Sequence, residues 1–214
     1  MWGFMKKFAM AAILATSSFL SAHAASITGL VNTGSFASGA QDTNYSLNGT
    51  GFGYVTKDNV WPIGPWIANT TTSKWITPLA NQAASFDPVT KGTYTWSLSF
   101  NLAGFDASTA SFSGKFAADN SAVVLLNGNS IGSANGFTSF SNFSAASGFN
   151  SGLNTLDFVV TNVAQNGGNP TGLRVEFTAS NVTPVPEPET YAMLLAGLGL
   201  MGVISRRRAK RNAA

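Results

Sequence analysis

Alternation of apolar and polar side chains is the strongest pattern in the middle of this chain. Residues 93–100 place Tyr94, Trp96, Leu98 and Phe100 on one face and small polar side chains on the other. A period of two is typical of a strand with one buried face. The same pattern recurs around residues 156–160 and 173–177. The positions expected to be buried are Trp96, Leu98, Phe100, Leu125, Leu156, Phe158, Val160, Val175 and Phe177.

A hairpin is predicted where the apolar run Ala122–Leu126 meets Asn127-Gly128. Asn-Gly tolerates the positive φ angles of a two-residue hairpin turn, so the chain should return through Ser130. Several short strands separated by turn residues favour two packed antiparallel sheets over a helical fold. We therefore expect an all-β domain over 25–183, an antiparallel β-sandwich or jelly roll.

The first 24 residues resemble a secretory signal peptide in their pattern. Lys6 and Lys7 precede an apolar stretch that reaches Leu20. Ala22 and Ala24 then form a small-x-small cleavage site, which predicts that the mature chain begins at Ala25.

The last 31 residues also divide into three parts. Residues 184–189 form a proline-rich stretch that should be an extended, exposed linker, since proline blocks both helix and ladder pairing. Residues 190–205 predict one short membrane helix, whose 14 apolar residues would span about 21 Å, less than the ~30 Å of a hydrocarbon core. The basic end, 206–214, is expected to stay cytoplasmic through Arg206, Arg207, Arg208, Lys210 and Arg211.

The formal net charge of +3 comes from these end segments. Between Ala25 and Thr183, five basic and seven acidic side chains give a net charge of −2. The high isoelectric point is therefore no sign of nucleic-acid binding, and no nucleic-acid partner is expected. Arg174 and Glu176 share the outer face of their strand and are expected to form a solvated pair or to pair across to a neighbouring strand.

Residue types restrict the chemistry. The chain has no cysteine, and its one histidine, His23, lies in the predicted signal peptide. The mature protein should therefore lack serine–histidine and cysteine–histidine nucleophile systems and the usual zinc sites. Its carboxylates lie mostly in turn-like contexts, which argues against the acid pair of a glycosidase. No enzyme activity is expected.

Three tryptophans are candidates for ligand contact. Trp61, Trp66 and Trp75 fall in or beside a segment rich in Pro, Gly, Thr and Asn. Exposed aromatic faces suit the C–H faces of a sugar ring, so these residues could form a sugar-stacking surface. The alternative is packing beneath a loop for Trp61 and Trp66 and a core position for Trp75.

A calcium site is the one cofactor that the sequence suggests. Asp119, Asn120 and Asn127 supply oxygen ligands close to a turn. Calcium takes six to eight oxygens, and this spacing is not that of an EF-hand. Hydrogen bonding of Asp and Asn to their own turn backbone is the alternative.

The C-terminal segment resembles the tail of PEP-CTERM proteins. The resemblance rests on Pro186-Glu187-Pro188, on a short apolar helix that contains glycine, and on Arg206-Arg207-Arg208, in that order over about residues 184–211. It implies export by the secretion machinery and recognition of the Pro-Glu-Pro element by an exosortase-type membrane protease. It also implies a Gram-negative source that makes exopolysaccharide and biofilm.

The central segment is similar to galactose-binding-like jelly rolls found ahead of such tails. The resemblance covers about residues 60–180 and includes Leu126-Asn127-Gly128 and the run from Asn169 to Glu176. The resemblance implies the fold and says little about the ligand, because such folds have many roles.

The expected function is that of a non-enzymatic surface or extracellular-matrix protein. It would reside transiently in the inner membrane through its C-terminal helix and then pass to the cell surface or matrix. Binding of exopolysaccharide is the more specific form of this expectation. The alternatives are a purely structural or adhesive matrix protein and a polysaccharide hydrolase.

Overall fold

The computed structural model describes residues 24–186 and 188–212 and contains eight strands followed by one helix. All pairings between the strands are antiparallel, so the predicted all-β antiparallel class is confirmed. The elements are β1 Gln41–Leu47, β2 Gly51–Val55, β3 Ile76–Thr77, β4 Gly92–Asn101, β5 Phe105–Leu126, β6 Asn129–Ala145, β7 Leu153–Asn162, β8 Gly172–Pro184 and α1 Pro188–Asn212.

The long strand β5 joins the two layers of the fold. The strand order is β6-β5-β7-β4-β1-β2-β3-β8, and β8 also pairs with β5, so the sheet returns on itself. Asp119 pairs with Gly172 of β8, whereas Ser121, two residues on, pairs with Thr161 of β7. β5 therefore changes partner at Asp119–Asn120 and forms a corner of the molecule.

The core lies between these layers and is built mainly from the alternating positions. Trp96, Phe158 and Val175 are fully buried, as the period of two predicts. The prediction that Leu125 is buried is wrong, because Val124 and Leu126 point inward and turn Leu125 to the outer face. Phe177 is half-buried and packs against the edge of the core.

The predicted hairpin is confirmed between β5 and β6. Leu126 pairs with Asn129, and the two residues between them, Asn127 and Gly128, have φ angles of 49° and 84°. Positive φ at both central positions is the geometry that the Asn-Gly pair favours in a two-residue turn.

Strand β7 connects two opposite ends of the domain. Its first residue, Leu153, lies beside the 102–104 turn, where Leu102 N donates to Gly152 O over 3.0 Å. Ten residues later, about 30 Å along the strand, the chain enters the 163–171 connection. We call the region of Gly104, Leu153 and Val185 the tail end. We call the opposite region, formed by the connections 56–75, 78–91 and 163–171, the loop end.

Candidate functional site

Trp61 projects from the loop end with 54% of its surface exposed. The backbone beneath it is held by the buried side chain of Gln82. The Gln82 amide nitrogen donates to Val60 O over 2.9 Å and to Trp61 O over 3.2 Å, and its oxygen accepts from Lys57 N over 2.7 Å. The segment is therefore fixed while the indole ring remains in solvent.

Phe86 is a second exposed aromatic residue of the loop end. Its ring stacks on Tyr94 with centroids 5.7 Å apart, and its backbone N–H donates to the Tyr94 hydroxyl over 2.9 Å. That hydroxyl in turn donates to the Asp87 carboxylate over 2.8 Å. Tyr94 belongs to β4, so this loop is tied to the sheet.

Asn169 connects two of the three loop-end segments. Its amide donates to Asp87 O over 3.2 Å in the 78–91 connection and to Val163 O over 3.1 Å in its own. Val163 in turn donates from its N–H to the Asn120 side chain of β5 over 2.7 Å. The loop end is therefore a cross-linked surface with Trp61 and Phe86 exposed on it.

The other two candidate tryptophans are buried, which corrects their assignment as ligand contacts. Trp66 is 2% exposed and Trp75 is not exposed at all. Their rings pack against each other with centroids 4.5 Å apart and cover Ala117 on the outer face of β5. Neither offers a free ring face, so packing beneath a loop is the correct interpretation for this pair.

A buried ionic cluster holds the same loop against β8. Arg174, 1% exposed, donates to the backbone oxygen of Ala68 and to the hydroxyls of Thr70 and Ser73. It also forms a 3.1 Å ion pair with Glu176. The solvated alternative is wrong, because the 61–75 segment folds over the outward face of β8 and buries both side chains. The pairing across to a neighbouring strand is confirmed, since Glu176 pairs with Lys115 of β5.

Glu176 remains ionised in this cluster. Burial opposes its ionisation, but the Ser73 hydroxyl, the Lys115 ammonium and the Arg174 guanidinium lower its pKa below the usual value. Lys115 lies 2.9 Å from the carboxylate. Two cations thus share one carboxylate, and the cluster serves to position the loop.

The three residues considered for calcium do not form one site. Asp119 accepts a hydrogen bond from Trp66 Nε1 over 2.9 Å, and Asn120 accepts from Val163 N. Asn127 lies in the hairpin turn after β5, eight residues after Asp119 and about 25 Å away at ~3.3 Å per residue. Turn and corner hydrogen bonding therefore accounts for these side chains. Among the described residues, no cluster of three or more acidic or histidine ligands occurs.

Asp119 has an unusual environment for a carboxyl group. Burial raises its pKa to about 6, although the Trp66 hydrogen bond acts in the opposite direction. The residue sits where β5 changes partner, and the Thr171 hydroxyl donates to its backbone oxygen. It connects the corner of β5 to the loop that carries Trp61.

The predicted processing residues lie at the edges of the described chain. Ala22 and Glu187 are outside the described residues, whereas Ala24 is exposed. Ala25 exchanges two 2.8 Å backbone hydrogen bonds with Val182 of β8. Pro186 is exposed, and Pro188 is the first residue of α1.

The C-terminal segment differs from its predicted boundaries. Pro184 pairs with Phe105 inside β8, so the extended linker does not begin at 184. The helix α1 continues beyond 205 through the basic residues, with Lys210 and Arg211 in its last turn. Within the described part of the chain, no helix meets the length and hydropathy of a membrane-spanning segment.

Sequence reasoning missed Gln82, Phe86 and the buried state of Arg174. Phe86 had a usable signal, since a large aromatic residue precedes Asp87-Pro88 in a segment without alternation. Gln82 had none, because its role depends on a contact with a loop more than 20 residues earlier.

Three solved structures show likeness to this chain at low TM-score. A PA14 sugar-binding domain from an RTX adhesin is 15% identical, with 42% of this chain and 51% of that one covered and a TM-score of 0.26. An uncultured Clostridium sp. beta-glucuronidase is 13% identical over 70% and 31%, with a TM-score of 0.31. A family 35 carbohydrate-binding module from an environmental isolate is 15% identical over 76% and 98%, with a TM-score of 0.26. The chain thus spans about half of the first structure and a third of the second.

The C-terminal segment matches a known protein-sorting motif. A comparison with curated proteins gives no match. Residues 184–209 match the PEP-CTERM protein-sorting motif, which indicates an exported protein and implies processing by an exosortase-type system. The chain therefore carries a PEP-CTERM protein-sorting motif behind an antiparallel β domain.

Proposed function

We propose that this exported protein is a non-enzymatic polysaccharide-binding protein of the cell surface or extracellular matrix. Its ligand contact is the loop end, with Trp61 as the main stacking residue and Phe86 as a second exposed ring of the same end. The observation that carries the proposal is the exposed indole of Trp61 on a backbone clamped by Gln82.

The hydrogen bonds from Gln82 matter for affinity, because binding otherwise has to order the residues that contact the ligand. An exposed aromatic ring on a mobile loop loses conformational freedom when it stacks, and that loss weakens affinity. Here the backbone of Val60 and Trp61 is already fixed by a buried amide. A rigid, half-exposed indole buries its apolar face against a sugar ring at a small entropic cost.

The placement of the carboxylates supports a binding role over hydrolysis. A glycosidase needs two carboxyl groups free to face the scissile bond. In the described domain, each carboxylate accepts a hydrogen bond from a protein group. The partners are Gly34 for Asp42, Asn69 for Asp58, Tyr94 for Asp87, Ser108 for Asp106, Trp66 for Asp119, Ser97 for Asp157 and Ser73 for Glu176.

The proposal places the protein among components of biofilm or exopolysaccharide and requires no calcium. The rival function is a purely structural or adhesive matrix protein, in which the loop end has no glycan ligand. Binding to a panel of soluble polysaccharides distinguishes these functions.

The test is affinity electrophoresis of the mature protein through gels that contain neutral and acidic polysaccharides, with and without calcium. At least one polysaccharide should retard the wild-type protein in the absence of calcium. Trp61→Ala should weaken that binding by up to about tenfold, since a stacking contact is worth about 0.5–1.5 kcal/mol and about 1.4 kcal/mol corresponds to tenfold.

Leu153→Ala is the matched control. Leu153 is 64% exposed and lies at the tail end, so its truncation removes exposed apolar surface without touching the loop end. It should leave retardation unchanged. Equal retardation of wild type and Trp61→Ala, or no retardation on any polysaccharide, would contradict the proposed function.

A further inference from the structure

The last residues of β8 are locked into the domain directly before the sorting motif. Thr183 and Pro184 pair with Asp106 and Phe105 of β5, and Val185 N donates to Gly104 O over 2.9 Å. Thr183 N also donates to the Thr109 hydroxyl over 2.9 Å. The backbone is therefore engaged up to one residue before Pro186.

The β5 side of this pairing is itself well ordered. The Asp106 carboxylate accepts from Ser108 N over 3.0 Å and from the Ser108 hydroxyl over 2.7 Å. The Thr109 hydroxyl donates to Asp106 O over 2.7 Å while it accepts from Thr183. The Thr109 hydroxyl is thus held in place as the acceptor for Thr183 N–H at the end of β8.

Very little chain separates the domain from the helix. Val185 makes the last domain hydrogen bond, and α1 begins at Pro188. Three peptide steps span about 10 Å at full extension. An enzyme that binds the motif and its upstream residues as an extended peptide thus encounters backbone groups that already have partners in β5.

We propose that the processing enzyme takes up Thr183–Val185 as an extended strand in place of the Gly104–Asp106 segment of the domain. The backbone of the enzyme then forms hydrogen bonds with Thr183–Val185 in place of those from β5, as in peptide recognition by strand addition. This inference rests on processing of the Pro-Glu-Pro motif and adds the step that precedes it.

Such a step couples the rate of tail removal to a local opening of the sheet. Strand ends open at a far smaller free-energy cost than the whole domain. When opening is fast, the rate of cleavage follows the population of the open form. Stabilising the end of β8 should slow processing, and weakening it should accelerate processing, with no change in the motif itself.

A disulfide across the end of β8 tests the proposal, since the chain has no cysteine of its own. Asp106 and Thr183 are directly opposed in the register, and such pairs have the Cα spacing that a disulfide needs. The full chain with Asp106→Cys and Thr183→Cys is expressed in exosortase-positive cells, and tail removal is followed by mass. We expect removal to be at least about tenfold slower in the oxidised form and to recover on reduction.

The matched control is a disulfide between Ser99→Cys and Thr155→Cys, an opposed pair of β4 and β7 far from the motif. It should not slow processing. Thr109→Val removes the acceptor for Thr183 N–H and should accelerate processing about fivefold, as loss of one hydrogen bond of ~1 kcal/mol implies.

Tail removal at the wild-type rate in the oxidised Asp106–Thr183 variant would overturn this inference and leave motif processing intact. An unchanged rate in Thr109→Val would also contradict it. A wild-type chain that keeps its tail in the same cells would refute processing of the motif, and this inference with it.

Discussion

Asp119 lies in an environment that disfavours its ionised form. It is 5% exposed, and its carboxylate accepts a hydrogen bond from the Trp66 indole. One neutral donor does not compensate for burial of a charge, and so its pKa rises to about 6. The ionised form therefore costs stability in the folded state while it anchors the loop that carries Trp61.

We predict that Asp119→Asn stabilises the domain above pH 6. The folded pKa of about 6 is higher than the usual 3.8. The folded state therefore binds the proton more tightly, and this contribution to stability is lost as pH rises from about 4 through 6. Asparagine keeps an oxygen acceptor for Trp66 and cannot ionise. The gain at pH 7.5 should reach up to about 3 kcal/mol.

Urea denaturation of both proteins at pH 4 and pH 7.5 checks this prediction. The difference in the free energy of unfolding between variant and wild type should grow with pH. Asp58→Asn is the control of opposite sign. Asp58 is exposed and its pKa is lowered by Asn69 and Lys74, so its replacement should not stabilise the domain as pH rises. A difference for Asp119→Asn that does not change between the two pH values would contradict the account.

Residue types alone separated core from surface only where alternation was regular. Trp96 and Phe158 could be assigned to the core because their neighbours alternate. Trp66, Trp75 and Arg174 could not be assigned, since their burial depends on a non-repetitive segment that folds back over β8. The sequence carries no period that marks such a contact between residues 100 positions apart.

At the scale of elements, the 61–75 segment acts as a cover for the outer face of β5 and β8. Its tryptophans supply the apolar contact, and Arg174 satisfies the backbone oxygens of Ile67 and Ala68. The cation also lies 5.0 Å from the centre of the Phe140 ring in β6. One buried side chain therefore connects β8, β6 and the loop that presents Trp61.

We predict that Arg174→Ala destabilises the domain by about 3–5 kcal/mol, because it leaves Glu176 and two loop carbonyls with fewer partners in a buried site. Chemical denaturation measures the loss. Lys115→Ala is the matched control: it removes the other ion pair of Glu176 from a partly exposed position and should cost below about 1 kcal/mol. Equal losses in the two variants would contradict the assigned role of Arg174.

Elements that depend on neighbouring residues could be predicted from the sequence. Elements that depend on contacts between residues far apart in the sequence could not. The β5–β6 hairpin followed from Asn127-Gly128, whose positive φ angles are a local property. The extension of β8 to Pro184 was missed because proline normally ends a ladder. The structure accommodates it at the last position of the strand, where no N–H is needed.

At the scale of the whole molecule, the sorting segment and the proposed ligand-contact surface lie at opposite ends. Val185 and the sorting motif leave from the tail end, and Trp61 lies at the loop end, about one length of β7 or ~30 Å away. A chain held by its C-terminal segment therefore keeps the aromatic surface away from the point of attachment. This arrangement leaves the proposed ligand-contact surface accessible while the chain is held by its tail.

The central claim, that this is an exported β domain sorted through its Pro-Glu-Pro tail, is tested most directly by the intact mass of the protein at the cell surface. The account predicts a chain that begins at Ala25 and ends near 186–188. Replacing Pro186, Glu187 and Pro188 with alanine should leave export intact but block tail removal, so that this variant stays in the inner-membrane fraction. A surface protein that retains residues 190–214, or an alanine variant that reaches the surface with the wild-type mass, would contradict the account.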